Sequence, residues 1–242
     1  MGVELAEHGR WYEGTGEHKG IKFKRVTTCL NTIRKPQLES WQEQQIYRGM
    51  REAIQAAPPP VIAVSSWADE LEARVKAGIK ARTEETTSFG IRAHDLARRL
   101  SSPLVAEATE VYNYDSDLDG VRQAWVKWHG VSNIEIDETE KVVYSEQLLV
   151  AGTIDFVGHD EHGIIIGDYK TGGIWADAAY QLAAYALLLK ESGVQAYKGI
   201  AIHLDRDGTF FQHEVDNLEG EPLEMFLASR RIAFANEKLL WK

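Results

Sequence analysis

The chain has a single cysteine, Cys29, among 242 residues. One thiol closes no internal disulfide and cannot supply the four ligands of an iron–sulfur cluster, so neither is expected. Long apolar runs are also missing, and none approaches the roughly 20 residues that span a bilayer. The opening residues, Met1 to His8, lack a basic stretch followed by an apolar one, so no secretory signal is expected. Ala6 stands where N-myristoylation wants Ser or Thr. No Gly-x-x-x-x-Gly-Lys-Ser/Thr run occurs, which excludes a phosphate loop and the nucleotide motor built on one. Proline is scarce, and three of the six stand together at Pro58–Pro60, where they stop any helix.

An excess of positive charge is missing as well. The net charge is −10, which argues at first against a polyanionic partner. The distribution qualifies this: residues 1–105 carry 16 Lys and Arg against 13 Asp and Glu, and the acidic excess lies wholly in the remainder. Lys19, Lys22, Lys24 and Arg25 cluster, as do Lys76, Lys80 and Arg82, and Arg92, Arg98 and Arg99. Such a half can track a phosphate backbone while the acidic half holds metal and core; an unevenly charged solvated surface reads equally well.

What is present is 44% hydrophobic, enough for a sizeable core and one domain. Residues 1–20 are polar and Gly-rich and read as a loose segment. Ile21–Val26 reads as a short strand, with Thr27 or Thr28 as the N-cap of the next element. Leu38, Trp41, Ile46, Met50 and Ile54 recur at helical spacing to about Ala57. Trp67, Leu71, Val75 and Ile79 mark a second helix, Gly90 to Leu100 a third, and Leu118–His129 a short fourth. Near Val131 the pattern turns to strands: Ile134 to Tyr144, Leu148–Val157, Ile164–Tyr169, Tyr197–Leu204 and Phe210–Val215. Helices are expected at Asp177–Lys190, ended by Gly193, and at Pro222–Trp241. The order predicts an α/β (α+β) fold, with a central mixed β-sheet flanked by helices, a helical part at about 27–130 and a core at about 131–242.

Two stretches stand apart. Gly152-Thr-Ile-Asp155-Phe-Val-Gly158 and Gly167-Asp168-Tyr169-Lys170-Thr-Gly172 put two carboxylates and a lysine on adjacent apolar strands, joined by a hairpin at His159–His162. Strand alternation points Asp168 and Lys170 the same way. Buried charge needs an ion pair or a metal, and two carboxylates aimed at one point suit a hard cation. Gln181 and Tyr185, four apart on an apolar helix, could reach that point or be satisfied core groups. His94, in Gly90-Ile-Arg-Ala-His94, is a ligand only if the fold carries it to Asp155 and Asp168. His159 and His162 read as polar turn residues with metal binding as the rival. Trp11, Tyr12 and Trp175 are either core and rim fillers or platforms for unpaired bases. Cys29 reads as buried and inert.

Gly90-x-x-x-His94, Gly152-x-x-Asp155, Asp168-x-Lys170 and Gln181-x-x-x-Tyr185 stand in the order of the RecB-like branch of the PD-(D/E)XK nucleases, and the chain resembles that branch between Gly90 and Tyr185. Ile154-Asp155 replaces the Pro-Asp of the signature. Arg25 to Leu30, Lys35-Pro36-x-Leu38 and Trp41 resemble small phage exonucleases and the mitochondrial genome-maintenance exonuclease. The resemblance implies a restriction-endonuclease-like core and Mg²⁺ or Mn²⁺ held by His94, Asp155, Asp168 and the backbone carbonyl of Tyr169. It implies that Lys170 positions the attacking water, and that Gln181 and Tyr185 contact DNA or brace Lys170. Arg92 is a further candidate DNA contact, and Glu146 a candidate outer carboxylate or added metal ligand. The implied activity is a metal-dependent exonuclease acting on DNA ends, with single-stranded DNA as the expected substrate, in replication, recombination or end processing. A structure-specific endonuclease and a catalytically silent nucleic-acid-binding module are the alternatives. A recombination or replication protein is the implied partner; a bacterial or phage-infected cytoplasm is the expected setting, with an organellar matrix fitting the composition as well, and oligomeric state stays open.

Overall fold

Two eleven-residue strands, β4 (Glu135–Ser145) and β5 (Val150–Asp160), form the spine of an antiparallel ladder that organises the rest. In the computed structural model, which describes residues 5–9, 11–15, 18–33, 35–56, 64–102, 115–174 and 176–240, all eight strands belong to one sheet. The others are β1 (Leu5–His8), β2 (Trp11–Gly14), β3 (Lys22–Arg25), β6 (Gly163–Lys170), β7 (Ala196–Leu204) and β8 (Phe210–Val215). Their order is β1-β2-β3-β5-β6-β7-β8, with β4 paired to the free side of β5. The β3–β5 and β6–β7 pairs are parallel and the others antiparallel, so the sheet is mixed, as the alternation of patterns implied.

The helices are α1 (Val26–Leu30), α2 (Pro36–Ala56), α3 (Val64–Ser101), α4 (Asp119–Ser132), α5 (Ala176–Glu191) and α6 (Glu221–Leu240). On one face of the sheet, α1, α5 and α6 bury Cys29, Leu182, Leu188 and Phe226 against Val150, Ile154, Ile166 and Ala201. On the other, α4 seats Trp128 against Phe156 and Tyr169 and donates its indole N–H to Gln212 at 3.0 Å. Asn133 ends α4 in the left-handed conformation that Asn tolerates at a helix terminus. Among the described residues no helix is long and apolar enough to cross a membrane.

The chain divides into two compact units, residues 34–92 and the remainder. The smaller unit is α2 with most of α3, tied by Glu52, which accepts from Arg48 at 2.8 Å and Arg82 at 3.1 Å. Its boundaries at 33/34 and 92/93 differ from the change of pattern near Val131, because α4 packs with the sheet.

Several expectations are corrected. Residues 5–14, read as loose, contribute β1 and β2; Tyr12 and Phe23 bury themselves with Ala151, a long-range contact that no local pattern announces. Two helices expected between Trp67 and Leu100 are one, α3. Gly90 alone costs only about 1 kcal/mol and does not break it. Thr83 and Thr86 satisfy their hydroxyls on the carbonyls of Ile79 and Arg82 within the helix. Thr27 and Thr28 lie inside α1, whose N-cap position is Arg25, without a side-chain cap. Pro58–Pro60 lie outside the described residues.

The regularity of β5 fails at one point. Gly152 and Ile154 face α5: a Cβ on Gly152 would come within 2.4 Å of the Tyr185 ring, and Ile154 shares a core cluster with Leu182. Phe156, two residues on, faces the opposite side against Trp128 and Tyr169. Alternation therefore breaks at Asp155. At the same level of β4, Glu140 lies between Thr139, paired with Phe156, and Lys141, paired with Ile154, and has a φ of 55°. On the other edge of β5, β3 pairs with Val150 and Ala151 and β6 with Phe156 onward, leaving 152–155 without a ladder partner there. The sheet opens into a notch at Asp155.

Candidate active site

The hairpin that brings the two carboxylate strands together is held by Asp160. Its Oδ1 accepts the backbone N–H groups of His162 and Gly163 at 2.8 and 3.2 Å, and its Oδ2 accepts the Tyr197 hydroxyl at 2.6 Å. Asp160 pairs with Gly163, so Glu161 and His162 form a two-residue turn. Gly163 has a φ of 145°, which favours glycine at this position. Register then runs true to Phe156 and Gly167, one residue short of Asp155 and Asp168.

At Asp155 the carboxylate replaces a ladder bond, with Oδ2 accepting the backbone N–H of Tyr169 at 2.7 Å. The same oxygen lies 3.4 Å from Nδ1 of His94, from the end of α3. Burial would lower the His94 pKa, but the hydrogen bond and charge of Asp155, with the charge of Asp168, raise it above the ordinary value.

Asp168 is buried, at 2% exposure, in a ring of three side chains. Its Oδ1 accepts Nε2 of Gln181 at 2.7 Å, its Oδ2 lies 2.5 Å from Nζ of Lys170, and Lys170 donates to Oε1 of Gln181 at 3.1 Å. The amide nitrogen of Gln181 also donates to the Tyr185 hydroxyl at 3.1 Å. A primary amide offers an acceptor for the ammonium and two donor hydrogens, one for the carboxylate, at once. Burial pushes Asp168 upward, with Lys170 opposing. Burial would pull Lys170 down, but the negative charges of Asp168 and Asp155 outweigh it and hold the lysine above its usual value. The two aspartates thus favour the charged form of Lys170 in this arrangement.

The opposite face locks the strand. The Tyr169 hydroxyl lies 2.7 Å from Ser101 Oγ, which spends its one proton on the Ala97 carbonyl at 2.7 Å. Tyr169 is therefore the donor, and Trp125 Nε1 reaches both oxygens at 3.2 Å. Burial raises the Tyr169 pKa well beyond the physiological range, which keeps that proton in place.

His94, Asp155, Asp168, Lys170, Gln181 and Tyr185 thus gather at the notch, with the backbone of Tyr169 between the two aspartates. Glu146 does not join them. It sits in the turn after β4, where His18 holds it at 2.5 Å, and Val150, its near neighbour across the turn, lies five residues or roughly 16 Å along β5 from Asp155. Arg92 belongs to the helical unit. His159 pairs with Asp137 at 2.9 Å and His162 is an exposed turn residue. Tyr12 is 2% exposed and bonds Thr153 at 2.8 Å, so it offers no stacking face. Trp11 packs under the Lys24 ammonium at 4.8 Å. Trp175 lies outside the described residues, and Cys29 is fully buried. Sequence reasoning missed Glu140, whose carboxyl is pushed up by burial and by the charge of Asp155. Its signal is the strand pairing, which no motif carries.

Two carboxylates, an imidazole and a backbone carbonyl are hard oxygen and nitrogen donors and fit a small divalent cation. The buried Asp168 Oδ2 has Lys170 Nζ as its one neighbour among the side chains of the ring, which suits an oxygen that can turn to a metal. Among the described residues, no three His, Cys, Asp or Glu side chains stand as a preassembled metal group. The Lys170 ammonium meets the Asp168 charge instead.

Comparison with known proteins agrees with this chemistry. A sequence profile described as the PD-(D/E)XK nuclease superfamily matches residues 44–226, well over half of the chain. No curated protein matches. Sixteen chains of solved structure match. One, "Crystal structure of SSO0001", is 18% identical over 59% of this chain and 74% of its own, with a TM-score of 0.30.

Proposed function

Because the chain belongs to the PD-(D/E)XK nuclease superfamily, we propose that it is a metal-dependent DNA exonuclease that hydrolyses phosphodiester bonds at DNA ends, with single-stranded DNA as its preferred substrate. The observation that carries this reading is the closed ring of Asp168, Lys170 and Gln181 beside Asp155 and His94. A protein that used the fold only as a scaffold would have no reason to bury a lysine, a carboxylate and an amide together, since a hydrophobic trio of similar volume is often as stable.

His94, Asp155, Asp168 and the Tyr169 carbonyl would hold the divalent ion, for which Mg²⁺ is the usual choice in this superfamily and Mn²⁺ is favoured by the imidazole. When bound, such an ion supplies charge against the developing phosphorane and a lowered pKa for a water. The protein's own residues do the rest. Tyr169 N–H fixes one oxygen of Asp155, so its carboxylate cannot swing away. Gln181 fixes the other partner, and Tyr185 fixes Gln181. Lys170, an ammonium in the resting arrangement, sits where it can hand a hydrogen bond from Asp168 to a water or to a phosphate oxygen.

The test uses linear DNA labelled at the 5′ or 3′ end, single- and double-stranded, with a single-stranded circle as control, in Mg²⁺, Mn²⁺ or EDTA. Products released from ends in metal alone, with circles intact, are expected. Lys170→Ala should reduce the rate by about 100- to 10,000-fold. Cutting of circles would replace the exonuclease reading with an endonuclease, activity in EDTA or an unaffected Lys170→Ala would remove the mechanism, and salt-sensitive binding without cleavage would leave a silent binding module.

A further inference from the structure

Register carries the lysine of the site outward along the sheet. Lys170 on β6 pairs with His203 on β7, and His203 pairs with Phe211 on β8. Residues directly opposite in a ladder project from the same face, so the three side chains form one row on the face that carries Asp168. The row changes character as it runs. Lys170 is tied into the ring with Asp168 and Gln181, His203 is 9% exposed, and Phe211 is 50% exposed.

His203 and Phe211 are in ring contact, with centroids 4.6 Å apart and planes tilted by 53°. Nδ1 of His203 is buried and has no hydrogen-bond partner. Buried polar atoms are nearly always satisfied by protein, water or ligand, so this nitrogen can accept a partner from outside the protein. Single exposed hydrophobics are common and need no explanation. Phe211 differs because it lies two interstrand spacings, roughly 10 Å, from the lysine of the site, on the last strand of the sheet.

We infer that Phe211, backed by His203, is the stacking platform for an unpaired nucleobase of the strand whose phosphodiester lies at Lys170. The inference rests on reading Asp155, Asp168 and Lys170 as a nuclease centre. A phenyl face receives any base, so the contact gives preference for unpaired over paired DNA without selecting sequence. It also supplies affinity that an acidic protein does not get from long-range charge.

The experiment measures binding of a fluorescein-labelled oligothymidylate by anisotropy, in EDTA and again in Ca²⁺, for the wild type, Phe211→Ala and Phe211→Trp. Phe211 is half exposed, so its replacement leaves the core intact, and circular dichroism checks that it does. Alanine should weaken binding roughly 5- to 150-fold, and tryptophan should stay within about threefold of the wild type. An abasic strand of the same length should bind weakly and alike to the wild type and to Phe211→Ala. Equal affinity of wild type and Phe211→Ala for the intact oligonucleotide overturns the assignment. So does an equal loss on the abasic strand, or a wild-type protein that binds no single-stranded DNA. Full cleavage by Lys170→Ala would overturn the nuclease-centre reading instead, and would leave the stacking measurement standing.

Discussion

Gly152 lies so close to Tyr185 that a Cβ there would meet the ring at 2.4 Å. The glycine three residues before Asp155 is thus a packing requirement: it lets α5 approach the sheet until Gln181 reaches Asp168. Gly152→Ala should push the ring away and destabilise the fold by about 1–3 kcal/mol. In thermal unfolding each kcal/mol lowers Tm by roughly 2–4 °C for a chain of this size. Gly152→Ala with Tyr185→Phe should not recover activity, whereas an unshifted Tm in the single variant would contradict the packing role.

Gln181 is the one neutral member of the buried ring, and its two ends are not interchangeable. Gln181→Leu leaves Asp168 Oδ1 without its donor and Lys170 without its neutral acceptor. Gln181→Glu keeps the acceptor but turns a second carboxylate on Asp168. Both should lower activity roughly 10- to 100-fold, as is usual when the partner that orients a metal-ligating carboxylate is lost. Titration of Mn²⁺ by electron paramagnetic resonance separates the two: leucine should weaken binding, while glutamate should weaken it less or strengthen it by its added charge. Wild-type rates in both variants would reduce Gln181 to core filling.

The central strands, α5 and the hairpin were legible because their information is local: β-branched runs around Asp155 and Asp168, a glycine-flanked polar link at His159–His162, and an Ala- and Leu-rich helix ended by Gly193. Position on the same strand also made the Asp168–Lys170 pair legible. What stayed hidden depends on pairing between distant segments. Glu140 meets the level of Asp155 only through the β4–β5 register, Phe211 meets Lys170 only through two ladders, and Ser101 meets Tyr169 across 68 positions. Glu146 misled because its spacing from Asp155 looks short along the chain, whereas the turn directs it toward His18.

Tyr169 links the two faces of β6. Its hydroxyl is fixed by Ser101 and Trp125, and its backbone N–H fixes Asp155. Tyr169→Phe keeps the ring against Trp128 and Phe156 but removes the donor to Ser101, at a cost of about 0.5–1.5 kcal/mol. Hydrogen exchange should report faster exchange of the residue 169 amide than of the amides at 165 and 166, which lie deeper in the ladder. Uniform acceleration across β6 would mean global destabilisation and no specific anchoring of the notch.

His94 makes the stability of the metal-free protein depend on pH in a defined direction. Asp155 and Asp168 raise its folded pKa above the ordinary 6.5, against the pull of burial. A group with a raised folded pKa binds its proton more tightly when folded, so its contribution is complete below the unfolded pKa. It fades as pH rises through the folded value. In EDTA, the melting temperature should therefore fall as pH is raised from 6.5 into the range above it, and His94→Gln should flatten that segment of the profile. The imidazole is partly exposed, at 37%, so the slope should be shallow and should shrink with added salt. A His94→Gln profile parallel to the wild type over that range would show that the imidazole is not paired with Asp155 in solution.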